Sequence, residues 1–153
     1  RTTVNAIGSI LNMRYLESIR EKEGGSYGVG VRGSINNTPI NEATLLMQFD
    51  CDQAKQPKLM GLIHSEVAEI VANGPKADDL QKVKLNLLKK YTEDQAENSW
   101  WSGALERYYH DKLNLLTDYK ASVDALTPEL IQSTLKNIVS QGNVIEVVMK
   151  PAE

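Results

Sequence analysis

Arg20 and Tyr27 are the two side chains whose types and spacing favour chemistry on a polar substrate. They flank the Gly24-Gly25 pair in the segment YLESIREKEGGSYGVGVRG. The glycines are expected to end a helix and reverse the chain, because glycine adopts the left-handed conformation without a Cβ clash. The guanidinium offers a planar fork of donors and the phenol one more, so the pair could hold a peptide carbonyl or a developing oxyanion.

A solvated or ion-paired arginine is the alternative interpretation of Arg20. Arginines near helix ends are usually exposed, and Glu17, Glu21 and Glu23 all stand close by in the sequence. The residues alone leave both interpretations open. The short turn favours the chemical one, because it lets the two side chains point at one place.

The two histidines, His64 and His110, do not form a zinc motif. His64 is followed by Ser65 and His110 by Asp111, which excludes H-E-x-x-H. H-x-x-E-H is also absent, because Val67 and Ala68 stand where His64 would need Glu and His, and Leu113 stands where His110 would need Glu. Solvated or helix-packed histidines are expected, and a composite site from distant ligands stays open. Cys51 is the only cysteine, which excludes an intrachain disulfide and favours a small buried apolar residue. We therefore predict no metal or cofactor site in this chain.

The stretch from Gly28 to Gly33 matches G-x-G-x-x-G, the dinucleotide-binding fingerprint. That fingerprint must follow a strand and open a helix, whereas this stretch follows a helix and continues into a hairpin. The glycines are better explained by a bulge or by close approach of another backbone.

Aromatic residues cluster on one predicted helix, at Trp100, Trp101, Tyr108 and Tyr109. Trp101, Leu105 and Tyr108 share a face at helical spacing. Packing into the core is the expected role of such a stripe. A groove wall for peptide side chains is the alternative.

Periodicity and turn residues predict an α+β domain with an antiparallel-rich sheet covered on one face by several helices. Three strands make a thin sheet for so many helices, so one or more strands are expected to precede residue 1. The predicted helices cover residues 4–21, 56–72, 78–95, a segment starting near residue 98, and one that starts at Thr127-Pro128. The predicted strands cover residues 26–35, 42–51 and 143–150.

Size and charge restrict the class of protein. The 153 residues fit one domain, residues 1–153, and the net charge of −3 makes nucleic acid an unexpected partner. No apolar run approaches the roughly 20 residues that cross a bilayer, so membrane insertion is not expected. The chain does not begin with methionine, and we expect it to be a fragment of a longer protein.

The segment YLESIREKEGGSYGV resembles the pattern L-x-x-x-(L/I)-R-E-(K/E)-x-G-x-x-Y-x-V of pitrilysin-type metallopeptidases. That family includes insulin-degrading enzyme and the mitochondrial processing peptidase. The resemblance is to the C-terminal, non-catalytic half, in its bacterial form. Weaker matches are ANGPKADDLQKVKLNLL, ENSWWSGAL, ALTPELIQ and NVIEVVMKP.

The resemblance implies a clamshell of two similar α+β halves that closes around peptides. One half, in the same polypeptide or a separate subunit, carries H-x-x-E-H with a distal glutamate and binds zinc. The other half supplies an arginine–tyrosine pair, which maps onto Arg20 and Tyr27. Their implied roles are to anchor the substrate backbone and to stabilise the tetrahedral intermediate. Bacterial members often lie in the periplasm or cell envelope.

The sequence also departs from the family pattern. The strands that open a family half are absent, and so is the G-G-G-x-x-S-R-L form of the helix start, although Arg14 stands where that arginine would lie. Two other functions stay open. One is a non-catalytic structural or assembly subunit of the same superfamily. The other is an unrelated α+β binding module that uses the Trp100–Tyr109 face.

Overall fold

A helix, a hairpin and five further helices follow one another in the computed structural model, which describes residues 1–24, 26, 28–37 and 39–150. The first helix continues directly into a π-helical segment, Leu16–Lys22. The other elements are α1 (Thr2–Tyr15), β1 (Val29–Asn36), β2 (Glu42–Phe49), α2 (Gln56–Asn73), α3 (Ala77–Asp94), α4 (Asn98–Asp111), α5 (Leu115–Asp124) and α6 (Pro128–Ser140).

Helix α1 lies at the centre of the core and contacts the hairpin and helices α2, α3, α5 and α6. The apolar stripe predicted for this helix is confirmed, since Ile7, Ile10 and Leu11 are fully buried. Burial of each such side chain contributes about 1.5–3 kcal/mol, so the central position of α1 follows from its sequence. Because α1 is fixed on several sides, the π-helical segment that extends it starts from a rigid base.

The predicted hairpin is confirmed as an antiparallel pair in which Val29 lies opposite Phe49 and Gly33 opposite Leu45. Its inward face packs against the core through Val29, Val31, Leu45, Met47 and Phe49. An α+β architecture with an antiparallel sheet and covering helices is therefore confirmed. The glycine-rich stretch lies in this hairpin and opens no helix, which rules out the dinucleotide fingerprint.

The helical region agrees with the prediction except for α5, which the sequence pattern does not predict. The predicted cap at Thr127 is confirmed, since its Oγ1 accepts from the N–H of Leu130 at 3.2 Å. Helix α4 ends at Asp111 and is followed by the C-cap Lys112, whose φ of 59° is left-handed. Asn114 then caps α5 by accepting from the N–H of Leu116 at 3.1 Å. A non-glycine residue in the left-handed region leaves little trace in a sequence, which is why this break was missed.

The strand predicted over residues 143–150 is wrong for the described chain. Those residues form no ladder, and the described sheet consists of β1 and β2 alone. A strand needs a neighbour for its backbone groups, and apolar composition cannot supply one. The segment instead contacts α2, where Glu146 Oε1 lies 2.6 Å from His64 Nε2. Its large apolar side chains, including Ile145 and Met149, are exposed.

Candidate functional site

Arg20 lies on the π-helical segment that ends the first helix. Its side chain is exposed, whereas the preceding Ile19 is fully buried and holds the segment against the core. Ser18 Oγ donates to the carbonyl of Arg14 at 2.9 Å, a back-bond of the kind that bends helices. The wider π turn changes the direction of side chains relative to an α-helix, and such turns occur frequently at functional sites.

The chain reverses immediately after this segment. Gly24 has a φ of +53°, which is the left-handed conformation predicted for it. Ser26 is buried, and its Oγ donates to the carbonyl of Gly28 at 2.7 Å and accepts from the Gly28 N–H at 3.2 Å. One hydroxyl thus fixes the backbone on the far side of residue 27. Tyr27 and Gly25 themselves lie outside the described residues.

The start of α2 holds the near side of the same turn. Lys55 Nζ donates to the carbonyl of Gly24 at 3.1 Å, and Lys58 Nζ lies 2.5 Å from Glu23 Oε2. Glu23 and Gly24, which are consecutive in the turn, are therefore each bound by a lysine at the start of α2. Arg20 has an exposed side chain, and no described residue forms a hydrogen bond or ion pair with it.

These supporting residues are the part of the site that sequence reasoning missed. A serine two residues before a glycine and lysines at the start of a helix are common patterns. Only the fold brings Lys55 and Lys58 beside a turn that lies about thirty residues earlier in the chain. The predicted pair, Arg20 and Tyr27, remains a prediction, because the position of the phenol is not described.

Arg14 is occupied by a structural contact. Its Nε lies 2.6 Å from Glu66 Oε2, and both side chains are largely buried. Glu66 Oε2 is buried and accepts no hydrogen bond from the described residues, so the contact is an ion pair between α1 and α2. Arg14 is therefore an anchor between helices, in contrast to the exposed Arg20.

No group of three or more His, Cys, Asp or Glu side chains in the described residues could hold a metal ion. His64 contacts Glu146, and His110 Nδ1 lies 3.1 Å from Asp111 Oδ1, so the two histidines have separate partners. Cys51, predicted to be a small buried apolar residue, is partly buried and packs against the core. The residues that the structure describes do not fit a zinc ion.

The aromatic helix α4 contradicts the expectation of core packing, because none of its described residues is buried. Trp100 lies edge-on against Tyr91, which stacks on Tyr119. The stripe that includes Trp101 and Tyr108 is rotated away from this contact, since successive helical residues differ by about 100°. These two rings are 42% and 50% exposed.

A groove of about 250 Å³ lies between α1, β1 and α3. Asn12 lines it and accepts from the N–H of Val31 at 3.1 Å, while Lys82 and Asn86 form its opposite wall. Arg20 does not line the groove. The candidate site is thus an exposed turn and not a closed pocket.

Solved structures of bacterial proteins share this fold. The periplasmic protease PqqL from Escherichia coli superposes with a TM-score of 0.71 at 20% identity, over 89% of this chain and 15% of that one. A protease from Helicobacter pylori gives 0.71 at 13% identity, over 90% and 35% of the two chains. A peptidase M16 inactive domain from Pseudomonas fluorescens gives 0.65 at 20% identity, over 86% and 33%. The chain therefore spans roughly a sixth to a third of these proteins.

No curated protein is significantly similar to the chain. The family model described as the peptidase M16 inactive domain matches residues 3–87, which is more than half of the chain. The match covers α1, the π-helical segment, the hairpin, α2 and the first part of α3, and so contains Arg20 and its supports. It confirms the resemblance to the C-terminal half of a pitrilysin-type protein, and the chain belongs to the peptidase M16 inactive-domain family.

Proposed function

We propose that this chain is the substrate-binding half of a zinc metalloendopeptidase, in which Arg20 and Tyr27 hold the peptide backbone. The observation that carries the proposal is the state of Arg20. The guanidinium is exposed on a π-helical turn and has no bonding partner among the described residues. No described residue thus competes with a ligand for its donors.

The chemistry of the two side chains supports this role. A guanidinium presents a planar array of N–H donors, and a phenol adds one O–H donor, which matches a peptide carbonyl oxygen. The same donors stabilise the negative charge that develops on that oxygen when the carbonyl becomes tetrahedral. The described backbone around the turn at Gly24 is held on both sides, by Ser26 and by Lys55.

In this proposal the zinc ion is bound by the other half of the enzyme. No three potential zinc ligands converge among the described residues, so hydrolysis would require a partner half that bears H-x-x-E-H and zinc, either fused or separate. This chain would supply substrate binding and charge stabilisation when the two halves close. Closure of such elements commonly excludes water from the reacting bond.

The compartment is also a proposal. PqqL is a periplasmic protease, and this supports the periplasm or cell envelope for the present chain. None of the helices in the described ranges is long and apolar enough to span a bilayer.

The decisive experiment is hydrolysis of an internally quenched fluorogenic peptide by the enzyme that contains this chain and its zinc half. We expect Arg20→Ala and Tyr27→Phe to lower kcat/KM by about 10²–10³ each, as for other oxyanion donors, and a chelator to abolish activity. Arg32→Ala is the matched control, because Arg32 is an exposed arginine on the outer face of β1.

The other outcomes separate the alternatives. Chelator-sensitive activity that is unchanged in both variants would contradict the role of Arg20 and Tyr27. A correctly folded assembly without peptidase activity in any sample would favour the non-catalytic structural subunit. A partner polypeptide that lacks H-x-x-E-H would point to the same conclusion.

A further inference from the structure

Glu23 and Arg20 are close in sequence, but only Glu23 has a described binding partner. Glu23 ends the π-helical segment and is bound by Lys58 of α2, whereas Arg20 has no described partner. They stand three positions apart in the chain, and the side chains of arginine and glutamate are both long enough to meet across that spacing at the end of the segment. Lys58 therefore binds a carboxylate that lies close to Arg20 in the chain.

Competition between the two cations has a functional consequence. An arginine paired with a carboxylate uses the same N–H donors that would bind a peptide carbonyl, and the charged acceptor forms the stronger bond. If Glu23 were released, Arg20 would be partly occupied before any peptide arrived. Lys55 contributes by holding the Gly24 carbonyl, which fixes the backbone next to Glu23.

We propose that Lys58 is a positioning residue that sequesters Glu23 and so keeps the Arg20 guanidinium open for the backbone of a peptide. This rests on the proposed function of Arg20. Lys58 is 64% exposed and the Glu23 side chain 30%, and exposed ion pairs contribute little to folding stability. The pair is therefore expected to act on the state of Arg20 with little effect on the fold.

The test compares Lys58→Met, Glu23→Gln and the double variant by NMR of the Arg20 Nε–H group, which is assigned by its loss in Arg20→Lys. Lys58→Met is expected to shift this resonance and slow rotation of the guanidinium, because Glu23 becomes its partner. Adding Glu23→Gln is expected to restore the wild-type signal, because it removes the competing charge. Lys90→Met is the control, since Lys90 pairs with Asp94 on α3 in a similarly exposed pair.

Two results would overturn the proposal. One is an unchanged Arg20 signal in Lys58→Met. The other is a double variant that stays as perturbed as the single one, which would make Lys58 a structural support of the turn and not a competitor for Glu23.

Peptide hydrolysis in the complete enzyme separates this proposal from the proposed function. Lys58→Met is expected to raise KM for the quenched peptide about two- to fivefold, as expected for an exposed ion pair, and Glu23→Gln to reverse the rise. A shifted Arg20 signal with an unchanged KM would refute the peptide-binding role of Arg20. An unchanged signal refutes the role of Lys58 whatever the kinetics.

Discussion

Gly33 of β1 lies directly against the carbonyl of Val4 in α1. A Cβ atom placed on Gly33 would fall 2.2 Å from that oxygen, and one placed on Gly8 would fall 2.8 Å from the Gly33 nitrogen. Two glycines thus let the helix and the strand backbone touch, and Asn12 adds a bond to Val31 one turn further along. This contact fixes α1, and with it the segment that carries Arg20, against the strand that follows Tyr27.

Gly33→Ala is expected to destabilise the protein by about 1–3 kcal/mol, because the new methyl group meets backbone atoms that cannot rotate away. Gly30→Ala is the matched control in the same strand, since nothing lies within 4 Å of a Cβ at that position. Its free energy of unfolding should change by less than about 1 kcal/mol. Urea denaturation of both variants checks this, and equal midpoints would contradict the close contact.

Local signals explain why most of the fold was predictable. The stripe of Ile7, Ile10 and Leu11 and the cap at Thr127 act within one helix, so the sequence states them directly. Contacts between distant segments cannot be read from the local sequence. Residues 143–150 have a strand-like composition but no described ladder partner, and Trp101 has an apolar ring but an outward position.

The candidate site also has one part that the local sequence predicts and one part that depends on contacts between distant segments. The turn at Gly24 was predicted, and its left-handed backbone agrees with that prediction. The role of Arg20 stays a prediction, because its exposure fits a solvated arginine equally well. The π-helical geometry and the contacts of Lys55 and Lys58 were not predicted, because they depend on how α2 packs beside the turn. The pairing of Arg20 with Tyr27 stays a prediction.

The buried phenol of Tyr15 predicts a loss of stability at alkaline pH. Its Oη donates to the Ile63 carbonyl at 3.0 Å, and burial raises its pKa above the ordinary 10.0. The neutral form is thus favoured in the folded protein, so this contribution is complete below pH 10 and is lost as the pH rises further. Its limiting slope is about 1.4 kcal/mol per pH unit.

Denaturation between pH 8 and about 11 measures this effect. The stability of Tyr15→Phe should decline less steeply than that of the wild type, although the mutation costs about 1 kcal/mol at pH 7 through the lost hydrogen bond. Tyr119 provides a second contribution of the same sign, because partial burial raises its pKa as well. Parallel declines in wild type and Tyr15→Phe would rule out a role for the Tyr15 phenol.

The purified chain is expected to bind no stoichiometric zinc. The described histidines, His64 and His110, lie in separate contacts with Glu146 and Asp111, and no three ligands converge in the described ranges. Elemental analysis after dialysis against micromolar zinc provides the measurement. One tight equivalent per chain would contradict the placement of the metal in another half.

Arg14 and Arg20 are expected to respond oppositely to substitution. Arg14→Met should reduce stability by about 1–3 kcal/mol, because it leaves the largely buried Glu66 carboxylate without its ion pair. Arg20→Met should leave stability within about 0.5 kcal/mol, because its side chain is exposed and has no described partner. Thermal denaturation beside peptide turnover distinguishes the two. A large loss of stability in Arg20→Met would show that Arg20 is a structural residue.

Substitution of Trp101 distinguishes a peptidase half from a binding module that uses the exposed face of α4. Its Nε1 donates to the Gln95 carbonyl at 2.8 Å, and the ring is 42% exposed, so Trp101→Ala should cost only about 1 kcal/mol of stability. If Arg20 binds the substrate, peptide turnover should remain within about twofold in Trp101→Ala and fall by about 10²–10³ in Arg20→Ala. Binding that is lost in Trp101→Ala and unaffected by Arg20→Ala would instead establish the aromatic face as the functional surface.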